Sequence, residues 1–118
     1  MNLNVEKILI IGVGMIGASI ALASKSKGIK VAGFDNNLEF LNNAVKKQII
    51  DEGIDSLEEI NSKNHIKDID LIIVAVPPKQ TLEVLNSLKE LWNTDITITD
   101  TSSVKNHIQL KNVSNIIL

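Results

Sequence analysis

Apolar residues along this chain fall into two alternating kinds of segment: short unbroken runs, and longer stretches with helical spacing. Lys7–Ile11, Lys30–Phe34, Asp70–Val76 (DLIIVAV) and Asp95–Thr99 (DITIT) are short runs, and Asn115–Leu118 (NIIL) begins another. Ile49–Ile54 reads as a short edge strand. Unbroken apolar runs suit strands covered on both faces, as strands in a parallel sheet are.

Between the runs lie helical patterns. Met15–Lys27 repeats small and apolar residues at Ile16, Ser19, Ile20 and Ala23, and its lysine-rich end followed by Gly28 is a stop signal. Leu38–Gln48 repeats at Leu38, Leu41, Ala44, Val45 and Gln48, with Asn36 or Asn37 as its cap. Leu57–Ile66 is a weaker, polar helix. Lys79–Trp92 carries Leu82, Leu85, Leu88 and Trp92 on one face, and Pro78 suits its first turn. Val104–Lys111 is a short candidate. Strand and helix alternate, which predicts an α/β protein with right-handed crossovers and a mainly parallel sheet.

Composition narrows the class. The 118 residues, without internal repeat, Pro-rich linker or low-complexity block, predict a single domain spanning 1–118. Hydrophobic residues at 44% and charged residues at 22% are ordinary for a globular chain. No apolar run approaches the ~18 residues of a membrane span, and the amino terminus lacks the basic region of a secretory signal. The absence of cysteine removes disulfides, thiolate ligands and a cysteine nucleophile, and fits a cytoplasmic protein. The net charge is −2, and the 12 basic residues are all lysines scattered along the chain. A nucleic-acid partner is not expected from such a distribution. No HExxH or clustered His/Asp set is present, so no metal site is expected.

The segment with most chemical content is Gly12-Val13-Gly14-Met15-Ile16-Gly17. A GxGxxG match gains meaning when it follows a strand, opens a helix and precedes an acidic residue by about 20 positions. Here it follows KILII, opens a helical pattern, and Asp35 ends the next apolar run 18 residues after Gly17. Gly12 permits a tight turn, Gly14 lets a pyrophosphate approach the backbone, and Gly17 lets the helix pack close to the strand. The helix N-terminus, opening at Met15 and Ile16, offers free N–H groups to phosphates. Asp35 either receives the hydroxyls of an adenosine ribose or caps the following helix. These features predict a doubly wound, Rossmann-type, three-layer α/β/α fold holding a dinucleotide. NAD is favoured over NADP, because a carboxylate repels a 2′-phosphate and the chain has no arginine to receive one.

Ligands of such sheets sit beyond the carboxyl ends of the strands. One end is Ala75-Val76-Pro77-Pro78, where two prolines stiffen a loop suited to lie under the ribose or nicotinamide. The alternative is a plain helix-initiating turn. Another end is Asp100-Thr101-Ser102-Ser103-Val104-Lys105, a cluster that reads either as a helix cap or as polar groups facing the nicotinamide. His65 lies in a polar stretch and His107 in a short helix of uncertain register. Both read as ordinary solvated or partly packed residues.

ILIIGVGMIGASIALA, the GFD closing the second run, IIDEGIDSLEE, DLIIVAVPP and TDTSSVK together resemble the cofactor-binding domain of the prephenate dehydrogenases, including the related arogenate dehydrogenases. The resemblance covers essentially the whole chain, and TDTSSVK is its most specific part. It implies oxidative decarboxylation of prephenate to 4-hydroxyphenylpyruvate, or of arogenate to tyrosine, in tyrosine biosynthesis, with NAD as hydride acceptor. It implies that Ser103 sits beside a catalytic histidine and the nicotinamide. The glycine motif, the strand ends and the resemblance together give expected cofactor contacts at Gly12, Gly14, Met15, Ile16, Gly17, Asp35, Val76, Pro77, Asp100, Ser102 and Ser103.

The family's histidine lies in a G-G-H-P type segment just after the sixth strand, and neither His65 nor His107 matches it. The chain is therefore expected to be a fragment or isolated domain without the helical dimerisation and substrate domain, the full-length protein being a homodimer. Two other readings stay open. One is an NAD-dependent β-hydroxyacid-type dehydrogenase, whose D-x-S-T-x-x-P pattern is lacking here. The other is a non-catalytic nucleotide-sensing module.

Overall fold

The computed structural model describes residues 5–60, 68–89, 96–101 and 116–117. Six strands, β1 (Lys7–Ile11), β2 (Lys30–Phe34), β3 (Glu52–Gly53), β4 (Leu71–Val74), β5 (Thr97–Asp100) and β6 (Ile116–Ile117), form one sheet in the order β3-β2-β1-β4-β5-β6. Every pairing is parallel. The order steps outward from β1 in one direction through β2 and β3, and in the other through β4, β5 and β6. That reversal is the topological switch point at which doubly wound folds hold their ligands.

Among the described residues four helices connect these strands: α1 (Met15–Ser26), α2 (Leu38–Lys46), α3 (Leu57–Ile60) and α4 (Pro78–Ser87). Successive side chains of a strand point to opposite faces, and β1 shows the consequence. Leu9 and Ile11 pack with Ile72, Val74, Val84, Leu85, Leu88 and Ile98, so α4 covers their face, with Leu57 of α3 against its edge. Ile8 and Ile10 pack with Ala21, Leu41, Ala44 and Ile50, so α1 and α2 cover the other face. The three-layer α/β/α expectation is met, and β1 is buried on both sides.

Several boundaries differ from the sequence reading. The run Asp70–Val76 contributes only Leu71–Val74 as strand. Asp70 lies just before the strand, and its carboxylate accepts the N–H groups of Glu6 and Lys7, tying the chain's entry into β1 to β4. The run Asp95–Thr99 becomes Thr97–Asp100. Ile49–Ile54 shrinks to the two-residue edge strand β3. The helix read over Lys79–Trp92 starts at Pro78, in its first turn as expected, and ends at Ser87. Trp92, the candidate helix Val104–Lys111 and the part of Leu57–Ile66 beyond residue 60 lie outside the described residues.

The end of α2 is the most instructive difference. Gln48, read as its last turn, lies past the helix with φ of 58°. Its N–H bonds the Val45 carbonyl while that of Ile49 bonds Ala44, the paired pattern of a Schellman stop. The same pattern closes α1 at Gly28, φ 81°. Glycine announces such a stop in a sequence; glutamine does not.

The buried helical faces also need correction. In α1 the buried positions are Gly17 and Ala21, not Ile16, Ser19 and Ala23; Ile16 is 60% exposed. In α2 they are Leu41 and Ala44, while Leu38 and Val45 are exposed. In α4 Leu85 is buried as expected, joined by Val84 and Thr81, and Leu88 is buried at its C-cap, but Leu82 is exposed. Close approach to the sheet selects the smallest residues of α1, which hydrophobicity counting ranks low.

Candidate functional site

The glycine loop sits where β1 ends at the switch point. Gly12 has φ of 100°, and a Cβ there would lie 2.6 Å from the carbonyl oxygen of Ala75, so both conformation and space demand glycine. Gly17 faces the Gly12 carbonyl so closely that any Cβ would overlap it. Gly14, the N-cap of α1, has nothing within 4 Å of where its Cβ would stand. Its neighbourhood is open, as the approach of a phosphate requires. The first N–H groups of α1 have no partner within the helix and carry the positive end of its dipole.

The loop is tied to the end of β2. The N–H of Gly12 donates to the Phe34 carbonyl at 2.7 Å. The N–H of Val13 donates to Oδ2 of Asp35 at 2.9 Å, and Oδ1 of Asp35 accepts the N–H of Asn37 at 2.8 Å. The cap of α2 is Asn37, whose side-chain oxygen accepts the N–H groups of Glu39 and Phe40 at 3.0 and 3.2 Å. Asp35 is thus not the helix cap. It stands half-buried at the strand end with both oxygens directed to backbone donors.

These elements border a cleft of about 640 Å³, within the range of small-molecule and cofactor sites. Of the expected contacts, Gly12, Gly14, Met15, Ile16, Asp35, Val76 and Pro77 line it. Gly17 does not; its part is the packing of α1 on the loop. Asp100 is half-buried at the end of β5, in register with Val74, and does not line the cleft. Ser102 and Ser103 lie outside the described residues, as do His65 and His107.

The cleft also has walls that the sequence did not single out. Phe40, Leu57 and Val84 supply apolar surface and Gln80 a polar group, beside Asn36, read above only as a candidate cap, and Thr101 of the polar cluster read at the end of β5. Phe40 is 48% exposed, an aromatic ring presented at the start of α2 rather than packed in the core. Its signal in the sequence is an aromatic side chain at the margin of the helix's apolar face, one position before buried Leu41. Thr101 is held beside the end of β4, its N–H and hydroxyl both donating to the Val74 carbonyl at 3.0 and 3.3 Å. Among the described residues no three His, Cys, Asp or Glu side chains come together as a metal cluster, and no helix is long and apolar enough to cross a membrane.

Comparison with known proteins agrees with this arrangement. Residues 20–118 match the family model described as prephenate dehydrogenase, nucleotide-binding domain. The prephenate dehydrogenase of Lactococcus lactis subsp. cremoris is 38% identical over 106 residues, covering 87% of this chain and 28% of the relative. That of Bacillus subtilis is 34% identical over 111 residues, covering 92% and 29%. The crystal structure of prephenate dehydrogenase from A. aeolicus in complex with hydroxyphenyl propionate and NAD+ superposes with a TM-score of 0.72 at 30% identity, covering 85% of this chain and 34% of that one. The chain thus spans less than a third of the length of these curated relatives. A loop shaped for phosphates at the switch point, its acidic partner on β2 and the family match lead to one assignment: the chain belongs to the prephenate dehydrogenase family and corresponds to its nucleotide-binding domain.

Proposed function

We propose that this chain holds NAD for an enzyme that oxidatively decarboxylates prephenate to 4-hydroxyphenylpyruvate, with arogenate as the alternative substrate. The observation that carries the reading is the open phosphate cradle at Gly14, set in a cleft that Asp35 lines beside it. NAD fits these residues. The first N–H groups of α1 would hold the pyrophosphate, and the Asp35 carboxylate has lone pairs left for the ribose hydroxyls. Phe40, Leu57 and Val84 line the cleft and would shield the base from water. When bound, NAD supplies the nicotinamide that accepts the hydride as carbon dioxide leaves and the ring aromatises.

The structure adds a reason to prefer NAD to NADP. A 2′-phosphate beside Asp35 meets a carboxylate, and the nearest helix offers it little. The N–H groups of Asn37, Glu39 and Phe40 are already taken by Asp35 and Asn37. No arginine stands anywhere in the 118 residues.

Ser103 is the residue of this chain that we assign to catalysis, beside the nicotinamide and a histidine that the family resemblance puts outside this sequence. Asp100 and Ser102 belong to the same end of the site in this reading. It also carries a cytoplasmic homodimer of the longer protein.

The test has two parts. Calorimetric titration of the 118-residue chain should give binding of NAD and at least tenfold weaker binding of NADP; equal or tighter NADP binding overturns the cofactor assignment. With prephenate or arogenate added, the chain alone should form no NADH, whereas the full-length enzyme should. No NADH from the full-length enzyme with either substrate would overturn the reaction.

A further inference from the structure

We infer that Asp35 is also a positioning residue for the phosphate loop, holding Val13 so that the following N–H groups face a diphosphate before any ribose arrives. The inference rests on the nucleotide-binding reading above. Three observations carry it.

First, the Asp35 carboxylate accepts the Val13 N–H at 2.9 Å, bridging 22 residues of sequence. Second, the bond falls between Gly12, whose φ of 100° reverses the chain, and Gly14, whose surroundings are open. The peptide that Asp35 grips is the one that aims the cradle. Third, the other oxygen of Asp35 is held by the Asn37 N–H at 2.8 Å, so the carboxylate is fixed against the capped start of α2 rather than free to turn. A charged acceptor makes a stronger bond to N–H than a neutral one. The Gly12–Phe34 link is backbone alone, so a side-chain substitution at 35 leaves it in place.

The ribose role and the positioning role separate by ligand. ADP presents a diphosphate and a ribose diol; 2′,3′-dideoxyadenosine diphosphate presents the diphosphate without the diol. A residue acting only through the ribose would leave binding of the dideoxy compound unchanged on substitution. Loss of its negative charge near an anion would even tighten that binding. A residue that positions the loop would weaken it.

The experiment titrates both compounds into the 118-residue chain and its Asp35→Asn and Asp35→Ala variants, with the Val13 amide followed by NMR exchange. Asp35→Asn keeps one acceptor oxygen and Asp35→Ala none. The expected result is weaker dideoxy binding in the order wild type, Asp35→Asn, Asp35→Ala, with a loss of about threefold to tenfold for alanine, and faster Val13 exchange. Dideoxy binding unchanged or tighter in both variants overturns the inference. ADP failing to bind the wild-type chain overturns the nucleotide reading instead, and Val13 exchange then decides the positioning role alone. If Asp35→Ala does not fold, Asp35→Asn carries the comparison.

Discussion

A Cβ placed on Gly17 would overlap the carbonyl oxygen of Gly12, so α1 rests on the loop through a position that admits hydrogen alone. Gly17→Ala must push α1 off the loop or bend the loop away. We expect a loss of about 1–3 kcal/mol in stability together with loss of NAD binding. Gly14→Ala meets open space, so its unfolding midpoint should stay near wild type while NAD affinity falls at least tenfold. Thermal unfolding beside calorimetric titration distinguishes the two; full NAD affinity in Gly14→Ala would refute the cradle.

The two Schellman stops predict opposite effects of glycine. Gly28 has φ of 81° and open space around it, so Gly28→Ala adds strain without a clash and should cost about 1 kcal/mol. Gln48 carries that strain already at φ 58°, and Gln48→Gly should stabilise by about 0.5 kcal/mol. Urea unfolding of the pair checks both signs.

Asp51 governs part of the acid sensitivity. Its pKa lies below the ordinary carboxylate value of 3.8, first because Oδ2 accepts the Val31 N–H, at 2.8 Å, and then through Lys25, 3.3 Å from Oδ1. A lowered folded-state pKa means that the ionised form stabilises the fold. That contribution is complete above pH 3.8 and lost as pH falls through the lowered value. The side chain is 44% exposed, so solvent screening holds the effect to no more than about 1 kcal/mol. Asp51→Asn should be less stable than wild type at pH 6, and the gap should close below pH 3.8. A gap independent of pH would show that charge plays no part.

Leu85 has no exposed surface and packs between α4 and the β1–β4–β5 face. Leu85→Ala should cost about 2–5 kcal/mol. Leu82, three residues earlier and 47% exposed, should cost less than about 1 kcal/mol on the same change. Equilibrium denaturation orders them.

In the full-length enzyme, Ser103→Ala should lower kcat by at least tenfold and leave the NAD dissociation constant within about threefold. Steady-state rates and cofactor titration read the two effects separately, and a purely binding defect would remove Ser103 from the chemistry.

The local pattern of this chain carries a great deal. The runs Lys7–Ile11 and Lys30–Phe34 become strands with those same bounds, Gly12 and Gly14 lie between β1 and α1, and Gly17 falls in the first turn of α1, as their spacing requires. Asp35 stands at the end of β2, and Gly28 ends α1. These features are legible because strand and helix periods, glycine turns and caps depend on neighbours a few residues away.

What the tertiary structure alone decided depends on groups far apart in sequence. The N–H that Asp35 accepts belongs to Val13, on another strand's loop, and that contact exists only because β1 and β2 pair in register from Lys7 and Lys30. Asp35, Asn36 and Asn37 all read as candidates to cap α2; the turn geometry assigns the cap to Asn37 and the loop to Asp35. Phe40, Leu57, Gln80 and Thr101 converge on one cleft from four separate segments. The inward face of α1 is set by how near the helix lies to the sheet, which favours Gly17 and Ala21 over larger apolar neighbours. A sequence states which side chains are apolar and which backbone turns are allowed, while the distances between elements decide which of those side chains fit inside.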